Sequence, residues 1–360
     1  MKFSIEKQAL NHALGRVLPI VAKRTTIPIL SNVFLGVADG QLTIRATNTA
    51  MEASVIAPLT RCESEGAVCV SAALLAGIGK NAPDEGDISF SLGKRLMVKC
   101  GKSVFNLAAL PAEDFPTFEQ FTPSATLALT GSIFCDLVGY VAYAQSREKG
   151  KYMLCGVNLS STGSVVFACA TDSRMMGVIE IAMNVPDFNV IVPSEAVAEF
   201  LKITPDENDV AVRLSKEKIQ VGINNFVLTS RLVDAEYPDF RRIVPKENHH
   251  IFRIGADAFL ASIKRVSAMS NEQIKSVLFS GQDGIATLSV KGAEGDAVDE
   301  IEVEHSGKKI EMRFNAEYLS DTISAAKSDI VSFAFKDGSS PILVTGDDAR
   351  FQAVLTGLRS

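Results

Sequence analysis

The sequence predicts an α+β protein of three tandem similar domains, each with two helices packed on antiparallel sheet. Three observations predict it: a helical segment recurs at intervals of 122 residues, a strand meander follows each copy, and polar links fall where the pattern restarts. The helical copies span 70–78, 192–201 and 314–323. In each, a small polar residue (Ser71, Ser194, Asn315) follows a strand-like stretch, as a helix N-cap does, and apolar residues then recur at helical spacing, as at Val197, Phe200 and Leu201.

The front of each third carries a further helical pattern, at Leu10, Leu14, Val17 and Leu18, at Phe134, Leu137, Val138 and Val141, and at Phe259, Leu260, Ile263 and Val266. Strands are expected next at 30–35, 154–159 and 275–279, continuing at 42–46 and 165–169. After the second helix of each third come period-two runs at 88–92, 210–214 and 330–335. Their partners follow at 96–98, 219–221 and 342–344, and closing strands at 103–107, 226–230 and 350–355. Thr122-Pro123-Ser124 and Lys246-Glu247-Asn248-His249-His250 read as links, which sets the domains at 1–124, 125–249 and 250–360. The stretch 232–245 repeats the leucine, aromatic, proline and phenylalanine of 110–118, but Arg241-Arg242-Ile243-Val244-Pro245 has no counterpart in the first third.

Composition excludes several classes. With 47% hydrophobic and 22% charged residues over 360 positions, the chain reads as globular, and no apolar run reaches the length of a bilayer span. Lys2, Glu6 and Lys7 stand where a signal peptide would be apolar, so a cytoplasmic location is expected. The six cysteines form no CxxC pair and none neighbours a histidine at ligand spacing; they are expected to be reduced and mostly buried in strands, with no metal and no cofactor. Among the four histidines, His249 and His250 fall in a link. There is no GxSxG or HExxH, and Gly101-Lys102-Ser103 lacks the earlier glycine of a phosphate loop because Leu96 stands there. The acidic groups at 84–87, 206–209 and 294–296 read as solvated turns. No catalytic residue is assigned.

The net charge of −6 argues against a simple basic nucleic-acid module. Basic residues nonetheless recur on helices: Lys7 and Arg16 on the first, Lys264 and Arg265 on the fifth, and Lys80, Lys202 and Lys327 near the ends of the second, fourth and sixth. Each alone suits a helix C-terminus. Together with Lys23, Arg24, Arg147, Lys149 and Lys151 in loops, they form a basic set able to bind phosphates without reading bases.

This repeat pattern, with Thr26-Ile27-Pro28-Ile29-Leu30, Ala170-Thr171-Asp172, the stretches 107–116 and 232–245, Ser270-Asn271-Glu272, and Phe314-Asn315 with Tyr318, resembles the bacterial DNA polymerase III beta subunit family, the sliding clamps, along the whole chain. The resemblance implies a DNA clamp fold, half of a head-to-tail homodimeric ring around double-stranded DNA, without enzymatic activity. It implies sequence-independent DNA contacts at Lys23, Arg24, Lys80, Lys149, Lys151, Lys202 and Lys264, and a subunit interface at Phe105, Leu107, Ala268 and Met269. It further implies a peptide pocket between the second and third domains, used by the polymerase III alpha subunit, the clamp loader, other DNA polymerases and repair proteins. The matching positions are Leu154, Thr171, Ser173, Arg174, Met175, Met176, Pro238, Arg242, Ile243, Ile274, Asn315, Tyr318, Ser340, Val354, Thr356, Gly357, Leu358 and Arg359. Ser173-Arg174-Met175-Met176 stands where many relatives have Gly-His-Arg-Leu, and Gly357 where they often have proline, which implies an altered peptide preference; the small Ala268 implies a weaker interface. The alternatives from the residues alone are a monomeric peptide-binding scaffold and an enzyme with an unrecognised nucleotide site.

Overall fold

A computed structural model describes residues 1–120, 122–204, 207, 209–269, 276–292, 295–306 and 308–358. Among them the six expected helices form: α1 (Lys7–Val17), α2 (Ala72–Asn81), α3 (Gly131–Gly139), α4 (Ser194–Ile203), α5 (Ala256–Ser267) and α6 (Ala316–Ala325). The amphipathic spacing decides which face is buried, as Leu10, Leu14 and Val17 of α1 and Phe259, Ile263 and Val266 of α5 are all in the core. Ser71 accepts a hydrogen bond from Leu74 N and Asn315 from Glu317 N and Tyr318 N, so both act as N-caps. Ser194 does not; it is the first residue of α4 itself.

Contacts gather the chain into two compact units, one of Met1–Phe134 with Ala198–Leu232 and the other of Cys135–Val197 with Val233–Ser360. Unit 1 holds a five-stranded sheet in the order Arg61–Ser64, Lys2–Glu6, Asp87–Leu92, Leu96–Cys100, Ser103–Leu107. Its second sheet has nine strands, in which Met51–Pro58 of the first third pairs with Phe226–Arg231 of the second, Glu52 opposite Thr229. The core includes the stacked rings of Phe3 and Phe90, 4.6 Å apart.

Unit 2 repeats the device. Met175–Ala182 of the second third pairs with Phe351–Leu355 of the last inside a nine-stranded sheet, Met176 opposite Val354. A four-stranded sheet runs Gly295–Glu302, Ile285–Gly292, Ser276–Gln282, Ile310–Asn315. Phe252, Phe279 and Phe335 interlock in the core with centroid separations of 5.5–5.6 Å.

The repeats are consecutive in sequence, yet the compact units are not, because the middle third completes one sheet in each unit. Pairing an edge strand with the neighbouring repeat satisfies backbone groups that would otherwise face water. Smaller departures are local. Leu30 and Leu154 lie in 3-10 turns, Pro28–Ser31 and Lys149–Leu154, rather than in strands. Pro28 sets the first of these, since its ring fixes φ for a helical turn. Each third opens on a strand the pattern did not single out (Lys2–Glu6, Ala125–Leu129, His250–Gly255), so His250 belongs to a sheet rather than a link. Of the cysteines, Cys69, Cys100 and Cys169 are buried in strands, whereas Cys62 is exposed and Cys135 sits in α3.

Candidate functional site

One turn in unit 2 organises the site. Thr171 Oγ1 donates to Met175 O at 2.7 Å and accepts from Ser173 N at 3.1 Å, while Asp172 Oδ1 accepts from Arg174 N and Met175 N, each at 2.8 Å. Ser173 takes a left-handed φ of 83° to close it. The same turn occurs 124 residues earlier in unit 1. There Thr47 Oγ1 donates to Met51 O at 2.8 Å, Asn48 Oδ1 accepts from Ala50 N and Met51 N, and Thr49 has φ 74°. Thr171 and Ser173 therefore shape a repeated hairpin, and through it set the strand that follows.

That strand delivers Met176 into an apolar cluster with Leu154, Val354, Cys169, Ile191, Tyr237 and Phe240. Half-buried Phe167, Val178, Val244 and Leu343 pack against it. Arg241 lies over two of its rings, 4.6 Å from the Phe167 centroid and 4.7 Å from that of Phe240, covering apolar surface with a group that tolerates displacement into water. Arg242 pairs with Asp239 at 3.0 Å, and Ile243, just past the turn, is 46% exposed. Pro238 is exposed beside them. Burial pushes the Cys169 thiol and the Tyr237 hydroxyl far up, so both stay neutral packing groups.

A second grouping forms a cleft of about 190 Å³ that contains Met175, Asn315 and Tyr318 together with Asp172, Arg147 and Asp321. Burial, then the Asp172 carboxylate, raises the Tyr318 hydroxyl; burial, then Glu317, raises the Asp321 carboxyl. Along the chain's last described residues, Thr356 N donates to Arg174 O at 2.9 Å and Leu358 N to Arg313 O at 2.7 Å. Between them a Cβ on Gly357 would lie 2.8 Å from Met312 Cγ, so the bare backbone lets this segment run close over Met312.

Not every expected residue joins these groupings. Ser340 donates to Asp337 Oδ2 at 2.8 Å, and hydrogen bonds from Ser339 and Ser340 hold the Asp337 carboxyl well below the usual range, so Ser340 shapes its own loop. Ile274 and Arg359 lie outside the described residues. Sequence reasoning passed over Cys169, Ile191, Tyr237, Phe240, Phe167, Val178 and Leu343. The period-two rule could have found three of them, since Phe167 and Cys169 alternate back from Thr171, and Val178 follows Met176 by two.

The basic set divides. Lys23, Arg24, Lys80, Lys149 and Lys264 are exposed, with no ion-pair partner among the described residues. Lys202 pairs with Glu199 at 2.7 Å and Lys151 with Glu148 at 3.0 Å. Lys7 is tied to Asp84, Arg265 to Asp299 and Lys327 to Asp136. Arg16 meets Glu207 at 3.0 Å, so this carboxylate is not a merely solvated turn residue.

Two sheet edges complete the picture. Ser103–Leu107 ends the five-stranded sheet of unit 1, with Val104 52% and Phe105 37% exposed. Leu107, expected to face a partner subunit, is instead buried in its own sheet, because it stands opposite Leu96 on the inward face. Gly295–Glu302 ends the four-stranded sheet of unit 2, with Val298 65% exposed. Ala268 and Met269 follow α5 on the surface, and Met269 lies against Gly295.

Family models for the DNA polymerase III beta subunit match in tandem: the N-terminal domain at residues 1–119, the central domain at 128–239 and the C-terminal domain at 241–356. The beta sliding clamp of Caulobacter vibrioides (strain NA1000 / CB15N) is 32% identical with both chains fully covered, and that of Escherichia coli (strain K12) is 29% identical over 98% of this chain and 97% of its own. The crystal structure of the DNA polymerase III subunit beta from Pseudomonas aeruginosa superposes with a TM-score of 0.97 at 28% identity, covering all of both chains. Three merged helix-and-meander domains of this kind define a sliding clamp, a non-enzymatic processivity scaffold of DNA replication. The chain belongs to the DNA polymerase III beta subunit family.

Proposed function

We propose that two copies of this chain join head to tail around duplex DNA, and that the apolar cluster of unit 2 docks short hydrophobic segments of polymerase, clamp loader and repair proteins. The observation that carries the ring is the pair of unlike sheet edges. The edge at Ser103–Leu107 offers Val104 and Phe105 beside exposed Lys94, Arg95, Lys99 and Lys102. The edge at Gly295–Glu302 offers Val298 between exposed Asp296, Glu300 and Glu302. Strand addition joins such edges through backbone hydrogen bonds, and the opposite charges favour unlike over like pairing. Head-to-tail contacts of this type close when the rotation allows.

Exposed Lys23, Arg24, Lys80, Lys149 and Lys264 supply phosphate contacts of the sequence-independent kind, which suit sliding. The docking role is supported by apolar walls with a few polar groups at hand: Leu154, Met176, Val354 and Phe240 in one cluster, Arg241 over the Phe240 ring, and Ile243 exposed nearby. Retention on DNA tests the ring. After loader treatment the protein should remain on nicked circles and run off once the circles are linearised; equal retention on both refutes encirclement.

A further inference from the structure

Unit 1 contains a cavity of about 420 Å³ whose lining includes Arg45, Glu52, Ser54, Phe118, Gln220 and Thr229. Position by position these are the counterparts of the apolar cluster in unit 2. Thr47 and Thr171 open identical turns, and counting back two residues places Arg45 where Cys169 stands. Glu52 lies opposite Thr47 and Thr229 as Met176 lies opposite Thr171 and Val354. Gln220 pairs with Thr229 as Leu343 pairs with Val354, and Ser54 pairs with Arg45 as Val178 pairs with Cys169. Phe118 ends the leucine-aromatic-proline-phenylalanine stretch that Phe240 ends in unit 2. Six positions thus share one backbone framework, and only the phenylalanine keeps its character.

The other five changes all run from apolar to polar, and two introduce charge. Glu52 accepts a hydrogen bond from Phe118 N at 2.9 Å, fixing its carboxylate at the cavity wall. Cations flank the Phe118 ring, Arg231 at 5.2 Å and Lys218 at 5.7 Å. An apolar side chain entering here would desolvate Arg45 and Glu52 with nothing to replace their water. We infer that unit 1 holds a duplicate of the docking site, and that Arg45, Glu52, Gln220 and Thr229 are specificity-determining residues that close it to apolar segments, so that each chain docks one such segment and not two. This rests on the reading of the unit 2 cluster as a peptide site.

The test converts the polar copy to the apolar set. A variant carrying Arg45→Cys, Glu52→Met, Gln220→Leu and Thr229→Val is titrated calorimetrically with a capped pentapeptide containing leucine and phenylalanine. A companion variant carries Glu52→Gln in place of Glu52→Met, which keeps an acceptor for Phe118 N and guards against misfolding. The expected result is one peptide per chain for the unchanged protein and two for at least one folded variant. One peptide per chain for both, with either variant folded by circular dichroism, overturns the inference while leaving the unit 2 site standing. Binding by a variant alone, with none by the unchanged protein, supports the duplicate and removes the unit 2 reading; binding by neither overturns both.

Discussion

Replacing Val104 and Phe105 together by serine should separate the copies without unfolding either. Both side chains lie on the open edge of the five-stranded sheet, Val104 52% and Phe105 37% exposed, and a partner strand would cover what water now reaches. Full burial of a valine or phenylalanine side chain is worth about 2–3 kcal/mol, so the fractions still exposed correspond to about 1 kcal/mol from each residue. A closed head-to-tail pair contains this interface twice, which brings the loss to about 4 kcal/mol, a roughly thousandfold weaker dimer. Sedimentation equilibrium measures it as a shift from twice 38.6 kDa towards 38.6 kDa at a fixed concentration. The thermal midpoint of the separated chain should fall by a few degrees only, since the part of Phe105 already covered by its own sheet is worth about 1–2 kcal/mol. An unchanged association constant for a folded double variant would refute the edge-pairing argument.

Three further outcomes follow from the same geometry. Ile243→Ser should weaken docking of a hydrophobic peptide several-fold in a fluorescence anisotropy titration and lower stability by only about 1 kcal/mol, because nearly half of the side chain is in water in the free protein. Thr47→Ala and Thr171→Ala should each lower unfolding free energy by about 1 kcal/mol through loss of the same buried hydrogen bond, but only Thr171→Ala should affect the peptide; equal effects on binding would separate the turn from the pocket. The Arg350 hydrogen bonds lower the Asp348 carboxyl to about 2, below its unfolded value of about 3.9. A depressed folded value stabilises above the unfolded one and is lost as pH falls from about 4 towards 2, and Asp348→Asn should remove that part of the acid-unfolding slope. Since the Arg350 side chain is 41% exposed, screening keeps the contribution to about 1 kcal/mol.

The repeat was legible because helix and strand periods are local. Leu10, Leu14 and Val17, or Phe259, Ile263 and Val266, need no knowledge of the rest of the chain to declare a buried face, and all are buried. The docking cluster was legible only in part. Leu154, Met176 and Val354 came from resemblance, while Tyr237 and Phe240 were visible only as part of a repeated stretch, and Ile191 not at all, because the loop of the first two and the strand of the third meet only in the folded unit. The ion pairs of the basic set were legible in part: Lys202 and Lys151 stand three residues after Glu199 and Glu148, a spacing the sequence shows, whereas Lys7 with Asp84 and Lys327 with Asp136 are brought together only by the folded chain.

By itself the sequence determined the α+β repeat, its order of helices and meanders, and the absence of any familiar catalytic motif, all of which follow from side-chain periodicity and short spacings. Tertiary structure alone decided how the strands of neighbouring repeats pair, with Glu52 opposite Thr229 and Met176 opposite Val354, and so divided the middle repeat between two compact units. The pairing sets one duplicated framework polar and the other apolar. No local pattern records it, because the partners stand 177 residues apart in the first case and 178 in the second, and only the sheet's backbone hydrogen bonds bring them together.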